Sequence, residues 1–127
     1  MENSAKKNII ENYIRYYNSF DVNNMVNYLH EDVEFQNISK GNVTLRLNGK
    51  KSFTNQAREA VKLFEKREII ITDVTYEDED MIVNIDYNGI LAVDVPDGPS
   101  KGDKIELKGK SIFQFKDGKI SSIKDIN

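Results

Sequence analysis

The sequence predicts an α+β domain, a strongly curved mixed or antiparallel sheet closed on one side by N-terminal helices into a cone. Three observations carry this. Helical spacing of apolar residues is confined to the first half, alternating strand patterns fill the second, and the strands are joined by turn-rich polar segments. With 127 residues, 39% hydrophobic and 31% charged, the chain forms a single domain (1–127) around one core.

The first helix runs from Ser4 to about Ser19, where Ile9, Ile10, Tyr13, Tyr16, Tyr17 and Phe20 make one apolar face. Asp21 is placed to N-cap a short second helix that buries Met25, Val26 and Leu29. "EDVEFQNI" alternates as a strand, with Val33, Phe35 and Asn37 on one face. The polar stretch after it reads as a loop, and Gly49 precedes a third helix bearing Phe53, Ala57, Ala60, Val61 and Phe64. Four strands follow: "EIIITDVTY", "MIVNIDYNGILAVDV", "KIELKGKSIFQF" and "KISSIKDI". The acidic "EDED" turn joins the first two, the loop "PDGPSKGD" the next, and "KDGK" the last. The expected order is α-α-β-α-β-β-β-β. A concave sheet face covered by helices leaves a mouth, a common place for a small-molecule site.

Composition excludes several chemistries. There is no cysteine, hence no disulfide and no thiolate catalysis, and one histidine argues against a histidine-based metal centre. A net charge of −3 with interspersed signs argues against a nucleic-acid partner. No apolar run has the roughly 20 residues needed to cross a bilayer, and the N-terminus lacks the pattern of a signal peptide. A cytoplasmic protein with no metal and no cofactor is expected. Its chemistry must rest on carboxylates, phenols and amides.

"YYNSFDVNNMVNYLHEDVEF", "NGILAVDVPDGPSKGDKIELKG" and the closing "FKDGKISSIKDI" together resemble the nuclear transport factor 2-like superfamily. More narrowly, they are similar to the SnoaL-like polyketide cyclases, over nearly the whole chain. The resemblance implies a cystatin-like α+β roll, a homodimer through the convex sheet face, and acid/base chemistry in the cone. It places Asp125 at the cyclases' general acid/base aspartate and Leu91 where their partner histidine would stand. Compared with the related ketosteroid isomerases, Tyr13 matches the oxyanion-hole tyrosine. Asn37 and Ser111 stand at that group's two aspartates, so steroid isomerisation is not expected.

Strand parity then gives a lining. If Ser111 and Asp125 face inward, so do Phe113, Phe115 and Ile123, and in the preceding strand Val83, Ile85, Tyr87 and Leu91. The candidate catalytic residues are Asp125, Tyr13 and Asn37. The candidate ligand-binding residues are Tyr17, Phe35, Tyr87, Leu91, Ser111, Phe113 and Ile123. In an apolar funnel Asp125 would be poorly solvated and its pKa raised toward the range useful for proton transfer. The alternative is an inert carboxylate at a frayed terminus. Tyr13 could donate to an enolate oxygen and Asn37 could orient a carbonyl; both could equally be packing or strand-end groups. His30 and the acidic turn Tyr76–Asp80 read as surface features. None of Arg15, Arg46, Arg58 and Arg67 is expected on an inner strand, which argues against the carboxylate–arginine–carboxylate group of an epoxide hydrolase on this fold. Two functions remain: a cofactor-free cyclase or isomerase acting on a small apolar carbonyl compound, or a non-catalytic module that binds such a molecule or serves dimerisation.

Overall fold

The computed structural model describes residues 1–127. Helices α1 (Asn3–Asn18), α2 (Val22–Val26) and α3 (Lys50–Val61) lie on one side of a single six-stranded sheet. Its strands are β1 (Leu29–Ser39), β2 (Asn42–Asn48), β3 (Phe64–Glu77), β4 (Asp80–Leu91), β5 (Lys104–Lys116) and β6 (Lys119–Ile126). Their spatial order is β2-β1-β6-β5-β4-β3. Strands β1 and β6 pair in parallel and all other neighbours are antiparallel, so the sheet is mixed, curved and unclosed.

The helical periodicity of the N-terminus becomes α1, which buries Ile10, Tyr13 and Ile14 against the sheet. The Asp21 carboxylate accepts from the Asn24 amide at 3.1 Å and starts α2, as an N-cap should. Val33 of β1, Met81 and Val83 of β4, Phe113 of β5 and Ile120 and Ile123 of β6 complete one apolar core with these helices. The edge strand β3 is covered by a side chain. Asn18, at the end of α1, accepts from the Ile69 amide at 2.8 Å and donates to the Ile69 carbonyl at 3.1 Å, which satisfies an otherwise open edge.

Four boundaries differ from the sequence expectation. The polar stretch after β1 is strand β2, joined through a two-residue turn in which Lys40 and Gly41 both have positive φ (52° and 82°). Val43, Leu45 and Leu47 do alternate there, and the flanking asparagines, threonine and arginine masked the pattern. Leu29 belongs to β1 and not to the second helix. Helix α3 stops at Val61, so Phe64 opens β3, and its ring lies against the bare Cα of Gly89: a Cβ there would come within 3.1 Å of the ring. Strand β4 ends at Leu91, because the following loop bonds to itself from the Val95 amide to the Pro99 carbonyl (2.8 Å).

A second glycine fixes the end of the sheet that carries Asp125. A Cβ at Gly109 of β5 would stand 2.7 Å from the Ile126 carbonyl oxygen, a backbone atom that cannot rotate away. Gly109→Ala is therefore expected to push β6 off β5 and destabilise the fold by about 1–3 kcal/mol. Urea unfolding measures this, and unchanged stability would show that the approach of the two strands is not a constraint.

Candidate active site

Between α1 and the concave face of β3–β6 lies a cavity of about 310 Å³. Its apolar wall includes Ile14 of α1, Phe64 and Ile69 of β3, Val83 and Ile85 of β4, and Ile105, Leu107 and Phe113 of β5. The polar side chains set into that wall are Tyr13 and Tyr17 of α1, Asn37 of β1, Tyr87 of β4, Lys110 and Ser111 of β5, Asp125 of β6 and, after it, Asn127.

Asp125 is placed by register. It sits directly opposite Ser111 across the β5–β6 pair and beside Asn37 across the parallel β1–β6 pair. The Ser111 hydroxyl donates to its carboxylate at 2.6 Å. Asp125 is half-buried among apolar walls. The water it has lost disfavours the charged form and pushes its pKa from an ordinary 3.8 up to about 6, while the Ser111 hydrogen bond opposes the rise. No cation pairs with this carboxylate.

Tyr13 packs edge-on against Phe113, ring centroids 6.1 Å apart, and only 7% of it is exposed. Its hydroxyl has no hydrogen-bond partner in the protein, although it shares the cavity with Asp125. Burial, then the negative charge of Asp125, keep its pKa well above that of a free phenol. Tyr13 is thus a neutral donor with nothing to donate to. Asn37 is committed elsewhere: its amide donates to Thr44 of β2 at 2.8 Å, so it turns from Asp125 toward a strand absent from the sequence reading.

Tyr17 and Tyr87 share a hydrogen bond of 2.9 Å between their hydroxyls. Behind them Arg67 of β3 is 5% exposed. Its guanidinium carbon stands 3.7 Å from the Tyr17 ring centroid and 4.7 Å from that of Phe20, and its Nε donates to the Tyr17 carbonyl at 3.0 Å. Arg67 thus lies on an edge strand, in keeping with the expectation that no arginine stands on an inner one. It touches rings and a carbonyl, not a carboxylate, so a carboxylate–arginine–carboxylate group is not assembled.

Of the ten candidate residues, Asp125, Tyr13, Asn37, Tyr17, Tyr87, Ser111 and Phe113 come together in the cavity wall. Three lie outside it. Phe35 packs edge-on with Phe53 of α3 at 5.5 Å, Ile123 is 1% exposed in the main core, and Leu91 is buried at the end of β4. Parity put all three on the right face but could not say how far along it the cavity extends. Phe64 and Arg67 were missed because the third helix was drawn too long and the strand after it started too late. His30 meets Asp117 at 3.3 Å beside the β5–β6 turn, away from the cavity.

The SnoaL-like domain model matches residues 10–123, and the chain belongs to that family. No curated protein matches the sequence. Among solved structures, a candidate polyketide cyclase from Xanthomonas campestris pv. campestris superimposes with a TM-score of 0.81 at 19% identity, covering 98% of this chain and 90% of its own. An epoxide hydrolase of Mycobacterium tuberculosis, described as LEH-like, gives 0.76 at 15% identity, with 97% and 82% covered. A ketosteroid isomerase-like fold from Catenulispora acidiphila, solved with trimethylamine, gives 0.74 at 10%, with 92% and 82% covered. At these identities the likeness shows a shared fold, and the chemistry has to be argued from the residues.

The raised pKa of Asp125 makes stability fall with pH. Below 3.8 the group is protonated whether folded or unfolded and adds no penalty. Between 3.8 and about 6 the unfolded chain ionises first, so folding is progressively penalised, to the order of 3 kcal/mol above pH 6. Asp125→Asn is accordingly expected to unfold at a higher temperature than the native protein at pH 8, with the gap closing by pH 4. A gap that stays constant across that range would mean that the carboxylate is well solvated.

Proposed function

We propose that the protein is a cofactor-free acid/base enzyme of the cyclase or isomerase type, acting on a small, largely apolar carbonyl compound. One observation carries this reading: a carboxyl held by a single hydroxyl and paired with no cation shares a mostly apolar cavity with a phenol whose hydroxyl has no protein partner, and its pKa is pushed up to about 6. A base is most effective when its pKa lies near the working pH, and a preorganised donor is most effective where charge develops.

In the proposed step the Asp125 carboxylate takes a proton from the carbon next to the substrate carbonyl. The C–H bonding pair becomes the C=C bond of an enolate, and the carbonyl π pair moves onto oxygen, where Tyr13 donates a hydrogen bond. In an isomerisation Asp125-H returns the proton to another carbon of the same π system. In an aldol-type cyclisation the enolate carbon attacks a second carbonyl, and the resulting alkoxide takes the proton. Ser111 holds the carboxylate in place and keeps its pKa from rising further. Asn37, bonded to Thr44, supports the wall and takes no part in the proton transfer.

Leu91 stands where the resemblance puts the cyclases' histidine, and it lies outside the cavity. This favours a one-carboxylate mechanism over a histidine–aspartate pair. The same fact is what a binding module without turnover would show, and experiment separates the two. The expected homodimer belongs to the proposal as well. The outward row of β5 (Lys104, Glu106, Lys108 and Lys110) is exposed, so a dimer through the convex face would be polar and salt-sensitive.

Exchange of the α-protons of 2-tetralone in D₂O, followed by NMR, tests the reaction directly. The native protein is expected to accelerate exchange, with the rate rising through a limb near pH 6. Asp125→Asn should abolish the acceleration, and Tyr13→Phe should slow it about 100-fold. Undiminished exchange in Asp125→Asn would remove the acid/base reading, while tight binding with no exchange would leave a binding module.

A further inference from the structure

We propose that Tyr17 and Tyr87 form a second polar pole of the cavity, so that the ligand carries an acceptor oxygen at the end remote from the reacting carbon. The inference rests on the acid/base reading of Asp125 and adds to it the chemical shape of the substrate.

The two poles are separated by the frame of the fold. Asp125 pairs with Ser111 of β5, while Tyr87 pairs with Leu107, four residues earlier on the same strand. Four residues of strand span about 13 Å. On α1, Tyr13 and Tyr17 are one turn apart, about 6 Å. Tyr13 packs against Phe113 at the Asp125 end, and Tyr17 meets Tyr87 at the other. Between the two ends the wall is apolar, Ile85 facing Gly109, with Val83 at the Asp125 end and Leu107 at the other. A ligand reaching both ends has polar groups at its tips and an apolar middle.

Hydrogen-bond counting says what the second tip must be. A phenol has one donor, and in a bonded pair of phenols one proton is used and the other is free. The pair therefore has exactly one O–H left, which calls for an acceptor. Either hydroxyl can be the donor within the pair, so the free proton belongs to the pair and not to one ring. Arg67 stands behind it, its guanidinium carbon 3.7 Å from the Tyr17 ring centroid, and lies outside the cavity wall.

Calorimetric titration of three matched ketones tests this: 2-tetralone, 6-methoxy-2-tetralone, and 6-ethyl-2-tetralone, which fills the same space without an acceptor. The native protein should bind the methoxy compound about fivefold more tightly than the ethyl compound. The preference should disappear in the Tyr17→Phe/Tyr87→Phe double variant, which keeps both rings. It should persist in Asp125→Asn, and persist at reduced size in each single variant, where one phenol remains a donor without its relay. Equal affinity for methoxy and ethyl compounds in the native protein, or an unchanged preference in the double variant, overturns the second pole. If that happens while Asp125-dependent exchange of 2-tetralone is intact, only this inference falls. If none of the three ketones binds and no exchange is seen, the acid/base reading falls with it.

Discussion

The hydrogen bond from Ser111 to Asp125 is the constraint around which the site is organised. It joins two facing residues of an antiparallel pair, so its geometry is set by backbone register and not by the rotamer preferences of a loop. It also opposes a larger effect. Removing a carboxylate from water raises its pKa, and a short donor takes back part of the rise. The balance leaves the pKa at about 6, where the group can both give and take a proton. A carboxylate with two or three donors would be acidic and inert.

Keeping that carboxyl in a hollow requires that the core stop short of filling it. The packed part of the interior lies under α1, α2 and α3, where Ile10, Met25, Leu29 and Ile123 are almost fully buried. Toward the β3–β5 end the wall turns to aromatic side chains that stand edge-on to one another: Phe64 with Tyr87, and Tyr87 with Tyr17. Edge-on rings keep their separation because both faces cannot collapse onto a neighbour at once. Phe64 lies close over Gly89, where a Cβ would meet its ring at 3.1 Å and push it aside. The hollow is thus propped by rings and relieved by one glycine.

Most of this architecture was legible in the residue pattern, and the reasons are local. The period of α1, the Asp21 cap, and the alternation of β4, β5 and β6 are consequences of neighbours a few residues apart. Parity then carried Ser111, Phe113, Tyr87 and Asp125 to one face without any knowledge of their contacts. What escaped depends on non-local facts. Strand β2 is polar enough to read as a loop until β1 is there to pair with it. Asn37 could be placed on the inner face, but its commitment to Thr44 is a property of the β1–β2 pair. Arg67 joins the sheet because β3 begins at Phe64, paired with Leu91 of a strand 27 positions later in the chain.

The distinction between structural and functional polar groups follows from what each has left to give. Asn18 spends both ends of its amide on the β3 edge, and Asn37 donates to Thr44, whose hydroxyl returns to the Asn37 main-chain carbonyl. His30 is held between Asp117 and the Asp32 amide. Asn18 and His30 are satisfied where they stand, and Asn37 has committed its amide nitrogen. In the cavity the count runs the other way: Asp125 accepts one bond where a carboxylate can take about four, Tyr13 makes none, and the Tyr17–Tyr87 pair retains one free proton. No polar side-chain atom is sealed away without a partner, so these groups are within reach of a molecule entering the cavity. The ligand that fits the proposal is apolar through its middle, offers an acidic C–H and a carbonyl oxygen near Asp125 and Tyr13, and carries an acceptor near the Tyr17–Tyr87 pair.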